Sequence, residues 1–429
     1  MSGATNDPFL VPQLNGSFSA HIALPGSKSI ALRQLAIAAL AHGRTRIVGI
    51  PLCDDVDAML DCITQLGVTV HREADAISVT GPMDYTSDIN LQTRMSGAST
   101  RLLLGLAALR QGRTTIDGHA SLRVRTNEPL YAVLTAHGCD VDSSNGGLPV
   151  TVQGPLQPPT DLHIDGSLSS QYVTALLVAA PLFAAGAQQR ICIDGDLVSR
   201  PYIDITLNEM AKRGVSAHWS TDRVITVDKG DYAPDSVTVE GDASAATYFA
   251  ALATLHASEV NLSNLGSSSK QGDYRFFEVM ERVGARIERH PDSTKITGPA
   301  ILSALPSVDM TDMPDAALTL MTLAPLLPGT TNITGLSSLH HKECDRLECP
   351  ASEMRDLGIQ TRTSHDAISI DHIDPGGIQP HVLNTYHDHR MAMAFSLLGS
   401  VSGTLRVDDE QVVDKTYPNY WHDYATLRT

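Results

Sequence analysis

The sequence predicts an α/β protein of two similar domains, each built from three repeats of a strand–helix–strand–helix–strand–strand unit. Three observations predict it. Six apolar, helix-like runs each reach a break and then a short strand: LAIAALAHGRTRI (35–47), LLLGLAALRQGRTTI (102–116), ALLVAAPLFAAGAQQRI (175–191), YFAALATLHASEVNL (248–262), ALTLMTLAPLLPGTTNI (317–333) and MAMAFSLLGSVSGTLRV (391–407). Their break residues, Gly43, Gly112, Gly186, Ser258, Gly329 and Gly403, are separated by 69, 74, 72, 71 and 74 residues. A period this regular marks one structural unit used six times. A second helix stop recurs at Gly67, Gly138, Gly214, Gly284 and Gly358. Finally, 429 residues are enough for two or three domains, and six units divide most simply as three plus three.

The first unit sets the pattern. SAHIAL alternates as a strand does, and Pro25-Gly26-Ser27 breaks it. Ser27 is the expected N-cap of the first helix. Ile30, Leu35, Ile37 and Leu40 then give a broad apolar surface, which predicts a buried helix ending at His42-Gly43. TRIVGI is the next strand. A second helix is expected over roughly 55–66, opening at Asp54-Asp55, and VTVHR and AISVT are the closing strands. Two helices and a sheet per unit imply helices covered by sheets.

The first helix of each unit starts at PGSKS (25–29), MSGAST (95–100), GSLSSQ (166–171), GDASAA (241–246), MPDAAL (313–318) and HDHRMA (387–392). A helix N-terminus has unsatisfied N–H groups and about half a positive charge. Several such ends facing one cleft make an anion-binding cavity. Lys28, Arg33, Arg101, Arg125, Lys342, Arg346, Arg390 and Lys415 stand near these starts. That cluster, in an otherwise acidic chain, points to a substrate with phosphate and carboxylate groups.

The bulk numbers exclude other classes. The formal charge of −17 argues against nucleic-acid and anionic-membrane partners, because a phosphate backbone needs a basic footprint. With 42% hydrophobic and 18% charged residues the chain is expected to be globular. The six cysteines, Cys53, Cys62, Cys139, Cys192, Cys344 and Cys349, form no CxxC pair and are expected to be buried, reduced thiols of a cytoplasmic protein. MSGATNDPFLVPQ has neither the basic nor the apolar region of a secretion signal. The most apolar stretch, 173–187, is too short to span a bilayer. His387-Asp388-His389 lacks a third ligand nearby, so no metal is expected. His389 is expected to donate to an oxyanion, and His340-His341 to be loop surface.

The motifs LPGSKSIALR (24–33), GSLSSQYVTALLVAAPL (166–182), SRPYIDITLNEM (199–210), VEGDASAATYFAAL (239–252), QGDYRFFEVMERVGA (271–285), MPDAA (313–317), KECDRL (342–347), TYHDHRMAMAFSLL (385–398) and DKTYPNYW (414–421) span essentially the whole chain. In that order they resemble the 5-enolpyruvylshikimate-3-phosphate synthase family. The resemblance implies transfer of the enolpyruvyl group of phosphoenolpyruvate to the 5-hydroxyl of shikimate 3-phosphate, with release of phosphate. It implies two domains hinged over a cleft that holds the active site: 1–24 plus 241–429 with the last three units, and 25–240 with the first three. It also implies a monomer, no cofactor, and a pocket targeted by glyphosate.

Residue by residue, the resemblance assigns Lys28 to both ligands and Ser29 and Arg33 to the shikimate carboxylate. Ser169, Ser170, Gln171 and Ser199 would surround shikimate 3-phosphate, with Tyr202 near the ring and Ser338 near its phosphate. Asp315 and Lys342 would take the ring hydroxyls. Gly97, Arg125, Gln171, Arg346, Arg390 and Lys415 would hold phosphoenolpyruvate. Lys28, Asp315 and Glu343 are the catalytic set. Asp315 is assigned as base toward the hydroxyl and Glu343 as acid and base at the methylene, with Lys28 assisting.

The chain departs from the family pattern at Ala31-Leu32, where Ser-Asn is usual, and at Met95-Ser96-Gly97-Ala98, where Asn-(Ala/Ser)-Gly-Thr is usual. Thr126 replaces a Pro, and Ser338 an Asn. The charged positions are all present. Altered affinity is therefore expected, and weakened glyphosate inhibition from Ala98 and Leu102. The rival readings are a transferase for another phosphorylated cyclitol, a UDP-sugar enolpyruvyl transferase, and a non-catalytic binding subunit.

Overall fold

The run after Ser27 forms the helix Lys28–Leu40, in which every side chain from Ile30 to Leu40 is buried. A helix apolar on all sides belongs in a core. The strand Gly43–Val48 follows, then the helix Asp54–Gln65, which has Asp54, Asp55 and Asp57 in its first turn, where the helix dipole favours negative charge. Gly67 ends it at φ +87°. The equivalent stops Gly138, Gly214, Gly284 and Gly358 have φ from +81° to +113°, a region that costs glycine least. Strands Thr69–Arg72 and Ala76–Gly81 close the unit. The computed structural model describes residues 7–428, so the reading of residues 1–6 lies outside the described residues.

Five units share one sheet topology. In the second, the spatial order is Ile89–Gln92, Thr114–Asp117, Val150–Gln153, Asp140–Ser143. The central strand pairs parallel with the first and antiparallel with the third. Two units complete their sheets with a strand distant in sequence. Ser236–Thr238 lies parallel to Gly43–Val48 and so belongs to the first unit's sheet. Ser19–Ala23, the SAHIAL segment, pairs with Glu259–Ser263 of the fourth unit rather than with the unit it precedes. The chain thus passes from one compact unit to the other at Pro25/Gly26 and again at Glu240/Gly241. Gly26 is needed at the first passage, because a Cβ there would lie 1.9 Å from the Gly49 carbonyl oxygen.

The sixth unit differs from the predicted pattern. After the strand Leu405–Val407 comes a 3-10 segment, Glu410–Lys415, and the helix Tyr420–Ala425 instead of a strand pair. The third strand's place beside Leu405–Val407 is taken by Phe9–Leu10, antiparallel, so that the edge is paired.

Each compact unit has its own core. In Gly26–Glu240 it gathers Lys28–Leu40, Gly97–Ala107 and Ser170–Phe183. In the other it gathers Ala243–Leu255, Ala317–Leu323 and His389–Ser402. Contacts within the first two turns align these helices, among them Arg390 Nη1 with the Tyr248 hydroxyl at 3.2 Å. Arg33 Nη2 reaches Thr174 Oγ1 at 3.4 Å, and the Thr247 and Thr319 hydroxyls meet at 2.8 Å. Each unit therefore brings three helix N-termini to one end. No helix among the described residues is long and apolar enough to cross a membrane.

Candidate functional site

The expected site residues divide between the two compact units, many of them beside helix N-termini. In the unit Gly26–Glu240, Lys28 is the first residue of its helix, and its Nζ lies 3.0 Å from Oδ2 of the buried Asp55. Ser29 follows, and its carbonyl accepts Arg33 Nη1 at 2.7 Å. Arg33 also donates from Nε to Thr206 Oγ1 at 2.8 Å and from Nη2 to the Tyr202 carbonyl at 3.0 Å. Burial lowers its pKa to about 10. Its guanidinium thus ties the first helix to the segment that carries Tyr202.

Gly97 opens the second helix between two guanidiniums. A Cβ there would meet Arg101 Nη1 at 2.5 Å and Arg125 Nη1 at 3.2 Å. Arg101 donates to the Gly97 carbonyl at 3.1 Å. Burial first, and then the neighbouring Arg125 charge, lowers the Arg101 pKa to about 10. Two like charges crowded together in a buried setting favour an anion. Ser96 caps this helix, and its hydroxyl meets that of Ser99 at 2.7 Å. The hydroxyl that Ala98 lacks is therefore present one residue later but turned to the cap.

Ser169 caps the third helix, accepting from the Gln171 amide at 3.2 Å, and Ser170 is buried beside it. Ser199 precedes the helix Arg200–Ala211 with φ 56° and ψ 42°. A non-glycine residue in that left-handed region costs roughly 1–3 kcal/mol and is held by its surroundings, a feature common at binding sites. Ala31 and Leu32 are fully buried, so their departures lie in the core.

In the other unit the expected residues form an ion network around Arg346, whose side chain is 2% exposed. Nε donates to Asp388 Oδ2 at 2.6 Å, Nη1 to Asp315 Oδ1 at 3.0 Å, and Nη2 to Glu343 Oε2 at 2.7 Å and Asp388 Oδ1 at 3.0 Å. Burial alone would lower the Arg346 pKa, but Asp388, Glu343 and Asp315 reverse that and hold it above the ordinary value. Arg390 Nη2 lies 3.1 Å from Asp315 Oδ2, and Nη1 donates to the Tyr248 hydroxyl at 3.2 Å. Lys415 Nζ lies 3.2 Å from Glu343 Oε1. Both assigned carboxylates, Asp315 and Glu343, are thus held against cations that fix their orientation. Ser338 lies in the 3-10 segment Ser337–His341, with Lys342 directly after it.

Several participants were not assigned roles by sequence. Asp388 holds Arg346 and also caps the His389–Ser402 helix by accepting the Arg390 amide at 2.9 Å. Asp273 is buried and bonded to the Ser244 hydroxyl. Burial, then the nearby Asp315 charge, raises its pKa to about 7. Asp55 and Arg101 were visible only as a helix start and a nearby cation. His340 is not plain loop surface: its Nδ1 lies 2.8 Å from Asp345 Oδ2, and its ring stacks on His365 at 5.2 Å. Glu353, Asp356 and His381 lie close enough together to hold a metal ion. Glu353, however, is already engaged by His381 Nε2 at 2.7 Å and the Tyr386 hydroxyl at 2.8 Å.

Comparison with known proteins places the chain in a family. The family model described as EPSP synthase (3-phosphoshikimate 1-carboxyvinyltransferase) matches residues 13–424. A 3-phosphoshikimate 1-carboxyvinyltransferase of Photobacterium damsela subsp. piscicida is 36% identical over 407 residues, covering 93% of this chain and 94% of its own. One from Shewanella loihica is 36% identical over 413 residues, covering 94% and 96%. Among solved structures, an EPSP synthase from Acinetobacter baumannii has the same fold at a TM-score of 0.79 and 22% identity, over 97% of each chain. The enolpyruvyl transferase NikO from Streptomyces tendae shares it at a TM-score of 0.75 and 16% identity, over 97% of this chain and 96% of its own. The chain belongs to the EPSP synthase family.

Proposed function

We infer that this protein transfers the enolpyruvyl group of phosphoenolpyruvate to the 5-hydroxyl of shikimate 3-phosphate and releases phosphate, a step of aromatic biosynthesis. The observation that carries the reading is the Arg346 network within a chain that matches the family from residue 13 to 424. The attacking hydroxyl must lose a proton and the enol methylene must gain one, giving a tetrahedral intermediate; elimination reverses both. Asp315 is the base toward the hydroxyl, and Glu343 serves the methylene as acid and then base, with Lys28 assisting. Arg125, Arg346, Arg390 and Lys415, with the Gly97 backbone and Gln171, bind phosphoenolpyruvate. Ser29, Arg33, Ser169, Ser170, Gln171, Ser199, Tyr202, Ser338 and Lys342 bind shikimate 3-phosphate. The cations offset repulsion between the two anions and stabilise the charge that develops. The enzyme acts as a cytoplasmic monomer, for which sedimentation velocity is expected to give a single-chain mass.

The test is phosphate release from phosphoenolpyruvate by purified protein, with and without shikimate 3-phosphate. Release that requires shikimate 3-phosphate, and that falls at least about a hundredfold in Glu343→Gln, is the expected outcome. Release only with a different phosphorylated cyclitol would move the acceptor. Binding of both ligands by folded protein without turnover would make this a binding protein.

A further inference from the structure

The turn that carries Lys342 and Glu343 is closed at its neck by a backbone tie and a side-chain tie. The Arg346 amide donates to the Leu339 carbonyl at 3.1 Å. One residue inward on each side, His340 Nδ1 lies 2.8 Å from Asp345 Oδ2. Oδ1 of the same carboxylate accepts the Leu347 and Glu348 amides at 3.0 Å each, where the helix Glu348–Asp356 begins. Within the turn, the Cys344 thiol donates to Asp388 Oδ2 at 3.6 Å; it and Cys349 are only partly buried, unlike the other four cysteines. His340 is also anchored on its far side. Its Nε2 lies 3.0 Å from the His365 carbonyl oxygen, and the two rings stack at an interplanar angle of 10°. Both ring nitrogens of His340 therefore face oxygens that can only accept. A neutral imidazole has one N–H and one lone pair, so only the imidazolium donates at both ends.

We propose that His340 is a positioning residue for the reaction: as an imidazolium it ties Asp345 to the His365 carbonyl, holds Lys342 and Glu343 between the two ends of the turn, and loosens that hold when it loses its proton. Asp345 and Glu348 face it from the side of the following helix, and His365 from the turn between the strands Thr361–Ser364 and Ala367–Ile370. Asp366 of that strand turn accepts the Ser337 amide at 2.8 Å and so fixes the start of the 3-10 segment, while His341 and Lys342 follow His340 in the chain. The hydrogen bond with Asp345 raises the His340 pKa; burial opposes this, and the His365 carbonyl and the Asp345 and Glu348 charges add to the rise. The tie is thus complete below the ordinary histidine value and is lost as pH rises through the folded one.

The effect on turnover rests on the function proposed above; the charge of His340 does not. Phosphate release measured from roughly pH 6 to 9 tests the effect. Wild-type kcat is expected to fall about tenfold as His340 deprotonates, the scale of one charge-assisted hydrogen bond. His340→Gln is expected to stay at the lower rate at every pH, with a raised KM for shikimate 3-phosphate. Its KM for phosphoenolpyruvate should not change, because Arg346 and Arg390 are held by Asp388 and Asp315, outside the turn. His340→Arg keeps a positive charge and several donors throughout this range, and is expected to retain the wild-type rate without the fall. Matching profiles for wild type and His340→Gln, or a loss in His340→Arg as deep as in His340→Gln, would overturn the positioning role. An NMR titration of the imidazoles reads the charge without turnover. His340 is expected to titrate above an ordinary histidine and to move down in Asp345→Asn; titration at or below the ordinary value would overturn the charged tie. Wild-type protein with no turnover would count against the proposed function, while the titration would still decide the charge of His340.

Discussion

Arg346 shows how much one side chain organises. It holds Asp315, Glu343 and Asp388 at once from a position 2% exposed to solvent. A lysine offers one compact charge in place of a planar fork and cannot span three carboxylates. Arg346→Lys is expected to lower kcat by about a hundredfold or more, through misplaced carboxylates, and to cost about 3 kcal/mol of stability, as broken buried pairs do; steady-state kinetics and urea unfolding check both. Asp273 gives a signed pH prediction. Its folded pKa is raised from 3.8 to about 7, by burial first and then by Asp315. The folded state therefore binds the extra proton between these values, and stability falls as pH rises from about 4 toward 7. Asp273→Asn is expected to raise Tm more at pH 8 than at pH 4; an equal effect at both would refute the assignment. Arg346 and Glu343 were legible in KECDRL, but the pairing of Arg346 with Asp388, 42 residues on, and of Arg390 with Tyr248, 142 residues back, was not. Such partners are chosen by folding, and nothing local in the sequence names them.

At the scale of elements, the helices and their stops were legible because periodicity and chain-breaking glycines are local signals. The helix expected over 55–66 is found at Asp54–Gln65. The destination of the strands was harder to read. SAHIAL precedes the first helix in sequence yet pairs with Glu259–Ser263, because strand pairing is decided by topology. The missing strand pair of the sixth unit has the same origin: DKTYPNYW forms parts of a 3-10 segment and a helix packed on the core, with Tyr420 fully buried. Close helix packing also left a mark that only coordinates reveal. The Cβ position of Gly105 lies 2.2 Å from the Ala175 carbonyl oxygen. Gly105→Ala is expected to push Gly97–Ala107 away from Ser170–Phe183 and cost about 1–3 kcal/mol, the range for overpacked cores. A thermal or urea midpoint measures this, and an unchanged midpoint would show that the helices yield without strain.

For the whole molecule, the sequence period explains where the residues of the candidate site gather. Six related units, five of them with one sheet topology, yield six buried first helices, three N-termini at one end of each compact unit, and cations gathered near them in a chain of charge −17. The net charge disfavours large polyanions, while local geometry suits small ones. The reaction proposed for this arrangement is an addition–elimination in which the enol methylene becomes a methyl group and then loses a proton. It is tested by running it with phosphoenolpyruvate and shikimate 3-phosphate in D2O and reading the product by NMR and mass spectrometry. The expected product is an enolpyruvyl ether of shikimate 3-phosphate with deuterium in its methylene group. A product whose methylene carries only the original hydrogens, or no product from folded protein supplied with both substrates, would contradict it.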